Sequence, residues 1–211
     1  MVISAFISKK ITSELHNLNI IKSCEYEPYT YCFEYLLDIA IYNISLLSLG
    51  FILKDIVATI IYILVMNSLK ITAGGVHANK RITCSILSYA VFFLSIALSK
   101  HIYFRYIDLS TNLQTTFICS YIIVTGAILI IAPVLHPNQA INKENIDKLK
   151  FYCFVNLTII TVLFFILTKN NQPRLYSLVF VCVIMILINQ VLGIVIYKKR
   201  YKNESKYCNM R

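Results

Sequence analysis

Six long apolar stretches, at roughly 35–53, 55–70, 82–99, 113–135, 151–168 and 175–197, leave this chain few ways to fold. Each approaches the length of about 20 residues that an α-helix needs to cross a bilayer. A water-soluble domain of 211 residues cannot hide a chain that is 58% hydrophobic and 14% charged, with a mean hydropathy of +0.68. The expected fold is therefore all-α: a polytopic integral membrane protein of about six transmembrane helices. It forms a single membrane domain over 1–211, with the helical bundle at 35–197 and a basic cytoplasmic tail at 198–211. Ahead of the bundle, Ile3, Ile7, Ile11, Leu15 and Leu18 recur at helical spacing, while Lys9, Lys10, Thr12, Ser13 and His16 fall elsewhere. That pattern reads as an amphipathic helix over 1–22 lying in the membrane interface, or else packed on the rest of the protein. Residues 23–34, tyrosine-rich and holding Pro28, read as a polar connector. No internal repeat or low-complexity segment interrupts the pattern.

Charge sets the expected orientation. The net charge is +10, and the basic residues lie between the apolar stretches rather than in one patch. This argues for basic cytoplasmic loops and anionic lipid, and against nucleic acid as a partner. With the N-terminus in the cytoplasm, the inner segments hold fifteen of the 20 Lys and Arg residues; Lys54, Lys100, Arg105, Lys169 and Arg174 fall outside. The N-terminus lacks a basic region before an apolar core, so no cleaved signal peptide is expected. Seven cysteines with no Cys-x-x-Cys spacing suggest no disulfide framework. Fifteen tyrosines and no tryptophan make Tyr the residue available for an interfacial belt.

One polar segment carries both a base and a nucleophile: Ala73-Gly74-Gly75-Val76-His77-Ala78-Asn79-Lys80-Arg81-Ile82-Thr83-Cys84-Ser85. Histidine accepts a proton near neutral pH, and a cysteine thiolate is a strong nucleophile. On one straight helix the seven residues from His77 to Cys84 rise about 10.5 Å, too far for a hydrogen bond of about 3 Å. Gly74 and Gly75 relieve this, because they break a helix and permit positive φ. His77 can then fold back toward a helix beginning near Asn79 or Lys80, with Asn79 as N-cap and Cys84 in the second turn. Lys80, Arg81 and the helix N-terminus favour a thiolate there. The plainer alternatives are a packing cysteine at a helix head and a solvated histidine in a basic loop. Zinc is a third, but no second Cys or His stands at ligand spacing.

Other residues gather around this segment by depth. Asp38, Asn43, Asn67, Ser85, Ser88, Asn156, Asn189 and Gln190 all fall in the cytoplasmic halves of their spans. Either they line a vestibule open to the cytosol, or they hydrogen-bond helix to helix. Asp38 is the one acid among them and a candidate to orient His77. Cys119, Cys153 and Cys182 lie in apolar runs that disfavour a thiolate, and Cys24, Cys32 and Cys208 have no histidine pattern nearby. Lys80, Arg81, Lys143, Lys148 and Lys150, with the loop His136-Pro137-Asn138, form a basic surface suited to an acidic peptide, or simply reflect the positive-inside bias.

Lys70, Gly74-Gly75-Val76-His77-Ala78, Cys84 and Ser88, followed by Ala132-Pro133 and His136-Pro137-Asn138-Gln139-Ala140, resemble in order the two motifs of the accessory gene regulator protein B family. Lys70 stands where the family pattern usually has arginine, and Gln139-Ala140 where it often has Lys-Pro. The resemblance covers most of the chain and implies a membrane cysteine endopeptidase with His77 and Cys84 as its catalytic pair. Lys70, Gly74, Gly75 and Ser88 would support them. It further implies a short precursor peptide as substrate, with an amphipathic leader and an acidic tail, matured into a thiolactone or lactone signal for quorum sensing. Membrane lipid and a second copy of the chain complete the expected partners, and no metal or other cofactor is implied. The competing reading from another class is a non-enzymatic small transporter or peptide-export component; a membrane scaffold is a third.

The orientation is testable in a cysteine-free background. Lys80→Cys and Asn145→Cys should be shielded from an impermeant thiol reagent added to intact cells, and Asn171→Cys should be labelled. Labelling of position 80 from outside would reverse the assignment.

Overall fold

The computed structural model describes residues 2–76, 81–106, 111–134 and 143–208. Seven helices follow in order: α1 (Val2–Asn17), α2 (Tyr26–Ile52), α3 (Ile56–Ala73), α4 (Arg81–Tyr106), α5 (Thr111–Ile131), α6 (Lys143–Lys169) and α7 (Pro173–Cys208), with one 3₁₀ turn at Ser23–Glu25. No strand occurs among the described residues. Five of these helices are long and apolar enough to cross a membrane, and α5 adds a shorter apolar stretch at Thr115–Ile131. The expected all-α membrane architecture is what the chain adopts. Large apolar side chains face outward along it, among them Phe51, Ile123 and Ile130, the last 86% exposed. Outward faces of this kind suit lipid rather than water.

The chain divides into two compact units, Met1–Thr59 and Ile60–Arg211. In the first, α1 packs on α2. Its buried face is not the apolar stripe but Ser4, Ser8 and Thr12, each fully buried at four-residue spacing. Phe6 and Leu18 are exposed at 70% and 67%, and Ile7 and Ile11 are exposed as well. The packed face lies about a quarter turn from the stripe, at 3.6 residues per turn. Small residues let two helix backbones approach closely. The Ser8 and Thr12 hydroxyls donate to Ala5 O at 3.1 Å and Ser8 O at 2.9 Å, so they are satisfied within their own helix.

The expected connector at 23–34 is corrected here, because α2 already begins at Tyr26 and includes Pro28. Proline is tolerated in a first turn, where the backbone N–H has no intrahelical partner. At its other end α2 turns tightly into α3. Leu53 N donates to Leu49 O at 2.9 Å and Asp55 N to Gly50 O at 2.8 Å, while Lys54 takes φ 55. A Cβ on Gly50 would strike the Thr59 hydroxyl, so this corner closes only on glycine.

In the second unit α7 packs against α4, α5 and α6. Pro173 is its first residue, a position that suits proline's fixed φ. Asn171, at φ 49, makes the reversal out of α6. Alternating chain direction puts the ends of α3 and α5 and the start of α6 at one end of the unit. At the opposite end, rings from three helices stack. Tyr121 and Phe164 lie parallel at 4.0 Å, Phe117 and Phe180 meet at 4.6 Å, and Phe164 meets Tyr176 edge-on at 5.9 Å. The Tyr121 hydroxyl shares a hydrogen bond with Thr161 at 3.1 Å. α3 joins through Tyr62, edge-on to Phe92 of α4 at 5.0 Å, and through Asn156 of α6, which donates to Ser68 O at 3.3 Å and to Thr72 Oγ1 at 3.4 Å. α6 starts two turns before the apolar stretch that marked it. Its polar opening, expected as loop, runs as helix, and Lys148 and Lys150 are exposed.

The aromatic stack sets up a graded prediction. Tyr121→Phe keeps the ring pair and should cost about 0.6 kcal/mol, the typical worth of one interhelical hydrogen bond. Tyr121→Ala should cost about 3–5 kcal/mol, as for other large-to-small core changes. Reversible unfolding in detergent measures both, and equal losses would show that the ring contact contributes little.

Candidate active site

The end of α3 is built by glycine. Gly74 takes φ +71 and Gly75 φ +140, conformations that side chains with a Cβ rarely adopt, and the helix stops at Ala73. The loop is then pinned from two directions. Val134, just after the cis Ala132–Pro133 bond at the end of α5, pairs with it as a short parallel bridge. Val134 N donates to Ala73 O at 3.0 Å, and Gly75 N donates to Val134 O at 3.2 Å. From α7, the Gln190 amide donates to Ala73 O at 3.1 Å, and the Tyr197 hydroxyl donates to Gly75 O at 3.0 Å.

Packing explains why both glycines are required. A Cβ on Gly74 would run into the carbonyl oxygen of Val134, and one on Gly75 into the Asn189 amide. Gly193 of α7 completes the fit, since its Cβ would lie 2.9 Å from Val134 Cγ1 and 3.3 Å from the Gly75 carbonyl carbon. Asn189, Gly193 and Tyr197 recur every four residues, so one face of α7 holds this loop.

Cys84 is the fourth residue of α4 and half-buried. It stands near the start of the described part of α4; the expected helix start at Asn79 or Lys80 lies outside the described residues. The helix break at the glycine pair agrees with the pattern read from the sequence. His77 lies outside the described residues, as do Ala78, Asn79 and Lys80. Ser88 is one turn further along α4, and Lys70 is in the last turn of α3; both are half-buried. Asp38 sits half-buried on α2, in the other unit. Arg81 and Lys143 open α4 and α6, and the loop at 136–140 lies outside the described residues.

The remaining thiols divide by environment. Cys153 and Cys182 are fully buried; Cys24, Cys32 and Cys119 are exposed and free. Of the polar residues expected to line a vestibule, Asn156 and Gln190 instead tie one helix to another. Sequence reading singled out Asn189 and Gln190 for their depth but not for the glycine loop, and it missed Val134, Gly193 and Tyr197. The four-residue spacing on α7 was the available signal.

A family model described as Accessory gene regulator B matches residues 5–194, nearly the whole chain. Neither the curated proteins nor the solved structures contain a match.

The glycine geometry makes a paired prediction. Gly75→Val forces a β-branched residue to positive φ and against Asn189, and should remove the function of this loop with Cys84 still present. Overpacking should also lower stability by about 1–3 kcal/mol. Gly126 of α5 has open space around its missing Cβ, so Gly126→Ala should be neutral or stabilising by up to about 1 kcal/mol. Thermal unfolding in detergent separates the two, and matching behaviour would refute the packing argument.

Proposed function

Since this chain belongs to the Accessory gene regulator B family, and so is a membrane protein of the accessory gene regulator system, we propose that it is a cysteine endopeptidase that matures a short precursor peptide. One observation carries the reading. The chain breaks at Gly74-Gly75, two residues ahead of His77, and Cys84 lies near the start of the described part of the next helix. A pair two turns apart on a straight helix could not cooperate, and a break between α3 and α4 supplies the freedom they need.

The chemistry follows from the two side chains. His77 takes the proton of the Cys84 thiol, and the thiolate attacks the scissile carbonyl at the junction of signal and acidic tail. The tetrahedral intermediate collapses, the C–N bond breaks, and His77 returns the proton to the leaving amine. The signal remains as a thioester on Cys84. A Cys or Ser side chain within the bound peptide then attacks that thioester, freeing Cys84 and closing a thiolactone or lactone ring. Ring closure outruns hydrolysis when water is kept from the acyl-enzyme and the internal nucleophile is held close. The precursor's acidic tail is matched by the exposed Lys148 and Lys150 at the head of α6, and its amphipathic leader by the lipid surface. The positive-inside charge balance supports a cytoplasmic site, where thiols stay reduced. The alternative of a transporter finds less support, because Asn156 and Gln190 are committed to bonds between helices rather than to a polar track.

Precursor processing in isolated membranes tests the assignment. Cys84→Ala should abolish cleavage without loss of membrane insertion, and replacing Cys119, Cys153 and Cys182 together by Ala should leave it largely intact. His77→Ala should lose about 10² to 10⁴ in rate, the usual worth of a general acid–base. Higher pH should restore only part of this, since it supplies thiolate but no acid for the leaving amine. Cleavage by the Cys84 variant would end the peptidase reading.

A further inference from the structure

α7 carries a residue whose placement its structural surroundings do not require. Gln190 is fully buried in an apolar helix, a costly position for an amide. Its Nε2 donates to Ala73 O, and its Oε1 has no hydrogen-bond partner among the described residues. Nor does Ala73 O need this bond to be satisfied, because Val134 N already donates to it at 3.0 Å. A leucine would fill the same volume without leaving a buried oxygen unmet. What the amide adds is direction. It fixes the second lone pair of the last helical carbonyl before the glycine pair.

The Tyr197 hydroxyl does the same two residues later, at Gly75 O, from a position two turns further along the same face of α7. Two carbonyls held in orientation, at Ala73 and Gly75, leave the peptide planes between them little freedom. Glycines at φ +71 and +140 would otherwise allow many arrangements. The direction in which the chain leaves Gly75 toward Val76 is thereby set by α7.

We propose that Gln190 and Tyr197 are positioning residues for the catalytic pair, gripping the Ala73–Gly75 backbone so that the segment leading to His77 meets Cys84 in one arrangement. The proposal rests on the peptidase reading above. On this view the last membrane helix works as part of the active site without touching the substrate, and the chemistry depends on residues that follow the glycine loop by 117 and 122 positions.

The test uses the full chain in detergent and needs no precursor. Iodoacetamide modification of Cys84, followed by mass spectrometry of the peptide that contains it, reports thiolate supply across pH 6 to 9, a range spanning the ordinary histidine and cysteine values of about 6.5 and 8.5. Wild type, His77→Ala, Gln190→Leu, Tyr197→Phe and the double variant are compared, with thermal midpoints measured in parallel. Gln190→Leu and Tyr197→Phe should each slow alkylation at pH 7 by about tenfold, part of the about 10² to 10⁴ that a displaced general base forfeits. Their profiles should move toward that of His77→Ala, while the midpoints stay within reach of wild type. Gln190→Leu should hold or raise its midpoint, since it removes the unmet oxygen. Should Gln190→Leu fail to fold, Tyr197→Phe, which removes one hydroxyl, decides alone. If His77→Ala alkylates like wild type at every pH, the dyad itself is wrong and the positioning role falls with it. If His77→Ala differs while Tyr197→Phe and Gln190→Leu track wild type, or merely melt earlier with unchanged profiles, the dyad stands and the role of α7 is overturned.

Discussion

A break in a helix near membrane depth exposes backbone groups that lipid cannot satisfy, and the second unit is arranged around meeting that demand. Where α3 stops at Ala73, the freed carbonyls and the Gly75 N–H are answered by Val134, Gln190 and Tyr197. Irregular backbone at such a depth survives only where protein or water supplies partners. Here the partners come from the end of α5 and from one face of α7, so α3, α5 and α7 must all be in place before the loop has a single conformation. Glycines at 74, 75 and 193 are the steric condition for that convergence. Other irregular points are local: Lys54 and Asn171 turn the chain within short connectors that close on their own helices.

The rest of the second unit reads as support for this junction. Aromatic rings lock α5, α6 and α7 at the opposite end, and Asn156 ties α6 to the last turns of α3. Few of these contacts are strong singly, and a membrane bundle gains little from burying apolar groups already surrounded by lipid. Shape and a handful of directed bonds therefore carry the specificity. Of the buried polar side chains, Gln190 donates to the end of α3 and Thr72 accepts from Asn156, while Thr59 and Thr168 turn back onto their own helices.

The apolar runs made the spans legible, because length and composition alone announce a membrane helix. Their ends were less so. Pro28 reads as a breaker but occupies a first turn, where it displaces no hydrogen bond, and the polar start of α6 reads as loop but is part of the helix. At the site, the glycine pair announced the helix break and the positive φ values. What holds the loop was barely legible: the partners of Ala73 and Gly75 on α7 lie more than a hundred residues away, and the four-residue spacing of Asn189, Gly193 and Tyr197 marks a face without naming what it packs against. Asn189 and Gln190 drew notice for being polar at that depth; the destination of their side chains is a tertiary fact.

The hydroxyl stripe of α1 has a consequence for how its sequence can vary. Ser8 and Thr12 turn their hydroxyls back onto their own helix and so offer α2 a surface defined by size alone. Substitution there is governed by volume: alanine or glycine would pass where valine or leucine would push the helices apart. Hydropathy is a poor guide to such a face, because an interchange of Ser for Ala moves the score without moving the backbone. The apolar residues Phe6, Ile7 and Ile11 are by contrast exposed and answer to whatever medium they meet. One short helix thus obeys two separate rules, a steric one toward its neighbour and a solvation one toward the outside, and its two faces can diverge independently.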